Sequence, residues 1–365
     1  MAATTVSLAR RATRPLREYG ILVALAVMIV VVQSINSNFI STDNLLNIGD
    51  QWAPTMIMAA AMTFVLIGGG FDLSVGATLA LSATLSASFL EHQPPGVAFA
   101  AVIAVGAFVG LINGLLVTKV NVNPFVATLG MAQIARGVAL IVAGGSSIPV
   151  SNGLYDWLGG GDIGPIPVSF AIAAVVMIVF GLILAYSLFG RALYALGGND
   201  QASYLSGIHT DRIRASTYVL SGMCAALAGA IYAGRIGNGQ GNLAAGIELD
   251  VIAAALIGGI SIAGGQGAVW RAAAGIALLA ALQNFFNSQN IDAFWQLVFK
   301  GVIIIAAVGL DSFAKHPHRR PLRVFLRDMR HLGSRRGRSK PDGGGGGGLT
   351  PPGPSPPEPV EVQRR

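Results

Sequence analysis

Two residues two positions apart, Asp72 and Ser74, follow three consecutive glycines (Gly68, Gly69, Gly70) at the point where one apolar run ends and another begins. A carboxylate and a hydroxyl there suit two roles. Asp72 can cap a helix by accepting from free backbone amides. The glycines can also break a helix near a pathway, leaving its amide end facing a polar solute. An ionisable group so close to apolar spans is costly and seldom idle. Asn113, Gln133, Arg136 and Lys300 also fall inside apolar runs and are expected to face a cavity or a helix interface. Amides cluster further on at Gln283, Asn284, Asn287, Gln289 and Asn290, beside Ser288. Amides suit neutral sugars, which offer hydroxyls and no charge; an ordinary polar helix end is the plainer reading of the same residues. The cations Arg136 and Lys300 keep a weakly anionic solute open.

The only long polar stretch between apolar runs is 189–214, containing Leu196, Gly197, Gly198, Asn199, Asp200, Gln201, Ala202, Ser203, Tyr204, Leu205, Ser206, Gly207 and Ile208. Asn199 is a good N-cap, Gly207 a helix stop, and Ala202, Leu205 and Ile208 recur about one turn apart. The expectation is a short amphipathic helix over 196–208. It either lies on a bilayer surface or inserts Ala202, Leu205 and Ile208 into a groove on a partner.

Other chemistry is missing. A P-loop requires Gly-Lys followed by Ser or Thr. The only lysines are Lys119, Lys300, Lys315 and Lys340, and none follows a glycine. Neither His-Glu-x-x-His nor Gly-x-Ser-x-Gly occurs, and no glycine cluster has dinucleotide-loop spacing. Cys224 is the single cysteine, which excludes an intramolecular disulfide and a multi-cysteine zinc site. No catalytic residue, metal or resident cofactor is expected, and a membrane enzyme has little to work with.

These residues must be positioned by elements made for lipid. Of 365 residues, 53% are hydrophobic and 11% charged, against about 25% charged in a soluble domain. The 24 Lys and Arg concentrate before residue 18 and after residue 314. They flank apolar spans rather than forming a patch interleaved with aromatics, so nucleic acid is not an expected partner and a lipid bilayer is. Ten stretches approach the length of a spanning helix: 20–35, 52–69, 72–90, 96–117, 124–143, 168–187, 213–236, 247–263, 267–286 and 294–310. The eighth is short and glycine-rich, which suggests a broken or half-depth helix. Arg10, Arg11, Arg14 and Arg17 precede the first run, which lacks a clean cleavage site and reads as a span rather than a signal peptide.

Orientation follows from the basic residues. With both termini cytoplasmic, Lys119, Arg191, Arg212, Arg214 and Arg271 lie inside. The outside loops near 36–51, 91–95, 144–167 and 287–293 then hold no Lys or Arg, and only Arg235 lies near the outer face. The fold class is an all-α polytopic membrane protein. It comprises a basic N-terminus over 1–19, a transmembrane domain over 20–311, and a cytoplasmic tail over 312–365. The tail, Arg-rich and then Gly- and Pro-rich, is expected to be disordered and to lie against anionic headgroups.

Two patterns concern packing. Gly106, Gly110 and Gly114, and likewise Gly222, Ala226, Ala230 and Gly234, repeat every fourth residue and make flat faces for close helix approach. The run Leu66-Ile67-Gly68-Gly69 recurs as Leu256-Ile257-Gly258-Gly259. Both copies fall on one side of the membrane, unlike an inverted five-span repeat.

Three segments together resemble a known family. Gly-Gly-Phe-Asp-Leu-Ser-Val-Gly at 69–76 is similar to the Gly-Gly-Ile-Asp-Leu-Ser-Val-Gly signature of ribose- and other monosaccharide-type ABC permeases. Gly197 to Ile208 resembles that family's coupling segment, departing at Gln201, Ser203 and Tyr204, where Glu, Ala and Arg are commoner. Asn123-Pro124-Phe125-Val126-Ala127-Thr128-Leu129-Gly130 matches its pattern too, and the resemblance covers roughly residues 20–311. It implies a type II ABC importer-like fold of about ten spans in a bacterial cytoplasmic membrane. The implied partners are a second permease copy, two cytoplasmic ATPase subunits that use the ATP, and an external sugar-binding protein. Gly197, Gly198, Asn199, Ala202, Leu205, Ser206, Gly207 and Ile208 would form the ATPase-coupling helix. Phe71, Asp72, Ser74, Asn113, Gln133, Asn284 and Asn287 are the candidates for the pathway. A nucleoside or branched-chain amino acid permease, or an ion-coupled secondary transporter, are the alternatives.

Overall fold

The computed structural model describes residues 20–315, so the basic N-terminus and nearly all of the C-terminal tail lie outside the described residues. Ten helices occupy the ten expected stretches. They are α1 (Gly20–Ile35), α2 (Thr42–Ile67), α3 (Val75–Leu90), α4 (Pro95–Thr118), α5 (Pro124–Val142), α7 (Val168–Tyr186), α10 (Thr210–Ile236), α11 (Ile247–Ile257), α12 (Val269–Ser288) and α13 (Ala293–Lys315). Between them lie the shorter α6 (Gly153–Gly160), α8 (Leu188–Gly198) and α9 (Asp200–Leu205). Two small antiparallel pairings complete the fold: β1 (Ile148–Pro149) with β4 (Asn238–Gly239), and β2 (Asp162–Ile163) with β3 (Ile166–Pro167). Among the described residues, α2, α4, α5, α7, α10 and α12 are long and apolar enough to cross a membrane.

Local chemistry sets the helix ends. The Ser41 hydroxyl accepts from the Asn44 amide and opens α2. Asn123 accepts from the Phe125 amide, with Pro124 at the first helical position of α5. Gly237, in the left-handed conformation, closes α10. Two boundaries differ from expectation. The stretch 36–51 is largely helical, because α2 begins at Thr42, ten residues early, on the polar turns carrying Asp43, Asn44, Asn47 and Asp50. The stretch 144–167 contains α6 and the β2–β3 hairpin rather than open loop. The eighth apolar run is short as expected: α11 has 11 residues, roughly half of what crosses a bilayer.

Helices α2 and α10 form the interior, with Ala53, Ile57, Phe64, Ala226, Ala230 and Ile231 excluded from the surface. Helix α10 packs against α2, α3, α4 and α6, and α12 lies against α2 and α11. Where α4 crosses α10 the small residues meet as expected. A Cβ on Gly222 would lie 2.0 Å from the Gly106 carbonyl oxygen, and one on Gly110 would lie 2.1 Å from that of Tyr218. Only hydrogen fits there, and the backbones touch. Helices α4, α5 and α7 instead expose apolar rows such as Phe108, Ile134, Ile141, Val175 and Ile178, as lipid-facing surfaces do.

The repeated Leu-Ile-Gly-Gly run forms the same structure twice. Gly70 N–H donates to the Val65 carbonyl and Ile260 N–H to that of Ala255, both at 2.9–3.0 Å. Gly69 and Gly259 take φ values of +76° and +83°. Each is a helix stop of the Schellman type. The two stops are neighbours, since Gly265 N–H, in the loop after the second, donates to the Ile67 carbonyl at 2.9 Å.

Candidate functional site

The glycine-terminated end of α2 leads into a buried polar knot, in which Asp72 Oδ2 and Asn113 Oδ1 have no hydrogen-bond partner. Asp72 Oδ1 accepts from the Ser74 amide at 3.0 Å and from its hydroxyl at 2.6 Å. Asn113 Nδ2, from α4, donates to Ser74 Oγ at 2.9 Å. The Leu73 amide donates to Thr128 Oγ1 at 3.1 Å, which ties the 69–76 segment to the Asn-Pro segment opening α5. Asp72, Ser74 and Asn113 are all buried. Asp72 is therefore not the N-cap of α3; that position is Ser74, and Asp72 closes the turn before it. Phe71 packs half-buried against the main core. Because Oδ1 accepts both bonds, Asp72→Asn retains the turn. Asp72→Ala leaves the Ser74 amide and hydroxyl without their acceptor, at about 2–4 kcal/mol. Thermal unfolding in detergent should place Asp72→Asn near the parent and Asp72→Ala well below it; equal losses would refute this account of the knot.

The polar stretch 189–214 folds into two helices rather than the single helix expected over 196–208. Helix α8 ends at Gly198, and Asn199 turns the chain with an extended backbone before α9. Asn199 is the N-cap foreseen, its Oδ1 accepting from the Ala202 amide at 3.0 Å. Gly207, at φ +82°, ends the segment as foreseen. The anchors are partly different. Leu205 is 85% exposed and Ala202 is exposed, but Ile208 lies beyond the helix and is half-buried. Tyr204, 70% exposed, joins Leu205 as the second large apolar side chain. Ser203 faces inward and Ser206 back-bonds to the Ala202 carbonyl.

Behind this exposed face the pair is fixed to the bundle. A Cβ on Gly197 would lie 1.8 Å from the Ile67 carbonyl oxygen and 2.4 Å from the Gly265 amide nitrogen. The Gly197 backbone therefore lies directly on the hydrogen bond that joins the two helix stops. A second strut runs beside it. Arg214, in the first turns of α10, donates through Nη2 to Asp200 of α9 at 2.9 Å and through Nε to the Gly68 carbonyl at 3.5 Å. Tyr194 of α8 donates to the Gly267 carbonyl at 2.7 Å. Sequence reasoning missed Arg214 and Tyr194 as struts, since each partner is distant in sequence.

At the opposite end of the bundle, α2, α10, α11, α12 and α13 line an open cavity of about 400 Å³. Its wall includes Gln51, Thr55, Tyr232, Asp250, Gln283 and Lys300. Lys300 faces a cavity, as anticipated, and pairs with Asp250 at 2.9 Å. The seven pathway candidates do not converge there. Asp72, Ser74 and Asn113 close on one another, and Gln133 is exposed on α5. Asn284 donates to Asn44, joining α12 to α2, and Asn287 accepts from Gln296. Within the amide cluster, Gln283 is the residue that reaches the cavity.

A bundle of apolar helices with a polar cavity at one end and the exposed Tyr204–Leu205 pair at the other has the build of a multi-pass membrane protein. The chain belongs to the family described as branched-chain amino acid transport system / permease component, which it matches over residues 44–308. It is 38% identical to the ribose import permease protein RbsC of Escherichia coli (strain K12), over 86% of this chain and 99% of that protein. Identity to the RbsC of Bacillus subtilis (strain 168) is 36%, over 81% and 93% of the two chains. The L-arabinose transport system permease protein AraH of Escherichia coli (strain K12) is 33% identical, over 83% and 92%. No solved structure matches the chain.

Proposed function

We propose that this chain is the membrane-spanning permease subunit of an ABC importer for a monosaccharide, with ribose the first candidate. Similarity over 81–86% of this chain to permeases named for ribose and arabinose carries the reading. In it, ten apolar segments cross the bacterial cytoplasmic membrane, the eighth as the short α11 with the non-helical chain that follows it, and both termini are cytoplasmic. Helices α8 and α9 then face the cytoplasm, where an ATPase subunit receives Tyr204 and Leu205 in a groove. The ATP is bound and hydrolysed by that partner, and this chain binds no cofactor. A second copy completes the pathway, and an external binding protein delivers the sugar to the cavity end.

Transport is by alternating access, a shift between outward- and inward-open states biased by the ATPases. Movement of α9 would pass through Gly197 and Arg214 to the ends of α2 and α11, and so to the elements that wall the cavity. The family description, which names branched-chain amino acids, favours a second substrate class. Competition separates the two. With the complete transporter in proteoliposomes, excess unlabelled ribose or arabinose should suppress uptake of labelled ribose, while nucleosides and branched-chain amino acids leave it intact. Suppression by leucine and not by sugars would reassign the substrate.

A further inference from the structure

The cavity between α2, α10, α11, α12 and α13 is lined by Arg235, Asp250 and Lys300 and by neutral hydrogen-bonding side chains, and that chemistry bears on what it could admit. On one wall, Pro54 interrupts α2. Proline has no amide hydrogen, so the carbonyl four residues earlier, that of Asp50, loses its helical donor. Arg235 of α10 fills the vacancy, donating through Nη1 to that carbonyl at 2.9 Å while Nη2 lies 3.3 Å from the Asp50 carboxylate. The hydroxyl of Ser169 also donates to that carboxylate. On the facing wall Lys300 is held by Asp250 at 2.9 Å. Each cation therefore has its own carboxylate, and all four side chains are only 21–24% exposed.

Two matched pairs leave the cavity without net charge, so neither an anion nor a cation is drawn in by an uncompensated partner. What remains for a ligand is a set of neutral hydrogen-bonding groups, Thr55, Tyr232, Gln283 and the side-chain carbonyl of Gln51, whose Nε2 donates to Asn47 Oδ1 at 3.1 Å, set among the apolar surfaces of Trp52 and Ile247. Amide, hydroxyl and phenol groups match hydroxyls as both donors and acceptors, and aromatic faces match C–H surfaces. The volume of about 400 Å³ lies at the small end of the range for small-ligand pockets, about 300–1,000 Å³. Gln51 and Ala245 at the rim are exposed, so the cavity is open.

We propose that this cavity is a transit site for one neutral monosaccharide, held by Tyr232 and Gln283 between the Arg235–Asp50 and Lys300–Asp250 pairs. The proposal rests on the importer reading above and adds the residues that touch the sugar. It is tested with Ala245→Cys, at the exposed rim of the cavity, in a Cys224→Ala background, Cys224 being buried in a separate cluster. The complete transporter is reconstituted and treated with a membrane-impermeant thiol reagent from the side facing the binding protein. Labelling should occur, and binding protein loaded with ribose, with ATP, should slow it at least threefold, while unloaded binding protein does not. No labelling, or the same rate with and without ribose in vesicles that still accumulate it, overturns the site. As a second measurement, Tyr232→Phe should raise the half-saturating ribose concentration about 2- to 10-fold through one lost hydrogen bond; an unchanged value speaks against contact. If the parent transporter shows no ATP-driven uptake at all, the importer reading fails instead, which keeps the two failures distinct.

Discussion

Gly197→Ala should reduce sugar accumulation at least tenfold while the complex continues to hydrolyse ATP. The added methyl would lie 1.8 Å from the Ile67 carbonyl oxygen and 2.4 Å from the Gly265 amide, and both obstacles are backbone. No rotamer change relieves that contact. The junction between α8, the end of α2 and the loop before α12 must open by about an ångström, and the Gly265–Ile67 hydrogen bond between them is the first casualty. Coupling that depends on rigid contact is lost at such a displacement, whereas the ATPase docking proposed for the exposed face of α9 is not. Gly198→Ala is the internal control. It makes the same chemical change one residue on, where nothing lies within 4 Å of the new atom, and it should retain near-parent uptake. Sugar transported per ATP hydrolysed, measured for both variants, decides the matter. Equal ratios would remove the junction from the mechanism.

The second large effect is expected from Leu205→Asp. Leu205 is 85% exposed and Tyr204, beside it, 70% exposed, so the substitution removes no packing within this chain. Insertion and thermal stability should be those of the parent. If Leu205 is an anchor in an ATPase groove, replacing it with a carboxylate buries an unpaired charge in an apolar pocket. Central anchors of that kind contribute 2 kcal/mol or more, roughly 30-fold or more in affinity. The ATPase should fail to co-purify with the variant and uptake should stop. Retention of the ATPase at parental levels would mean that α9 is a surface helix with no partner.

Legibility in the sequence followed the range of the interactions. Apolar runs located the helices of all ten stretches, the short α11 included, because helix length and hydropathy are local properties. The stops at Gly69 and Gly207 and the cap at Asn199 were visible for the same reason. The glycine faces of α4 and α10 announced close packing, though not which helix each would meet. Polar helix turns were harder. The stretch 43–51 read as loop because Asp43, Asn44, Asn47, Asp50 and Gln51 interrupt its apolar residues, yet it forms the first turns of α2, and α8 merged with α9 because the break at Asn199 looks like an ordinary cap. The pathway candidates scattered because intramembrane polarity has two uses. In Asp72, Ser74 and Asn113 it serves a buried structural knot; in Gln283 and Lys300 it faces open space. Pro54 did carry a readable signal, since a proline inside a helix frees the carbonyl of residue 50. That Arg235 fills it, 185 residues away, is a tertiary fact that no local pattern contains.

The central claim is that this chain moves a sugar only when a separate ATPase drives it. The most direct measurement is uptake of labelled ribose by proteoliposomes containing the purified chain alone, then the chain with its ATPase, then both with the sugar-binding protein. Accumulation that appears only in the complete system, and only with hydrolysable ATP, is the predicted result. Accumulation by the chain alone, driven by a proton or sodium gradient and indifferent to ATP, would contradict it.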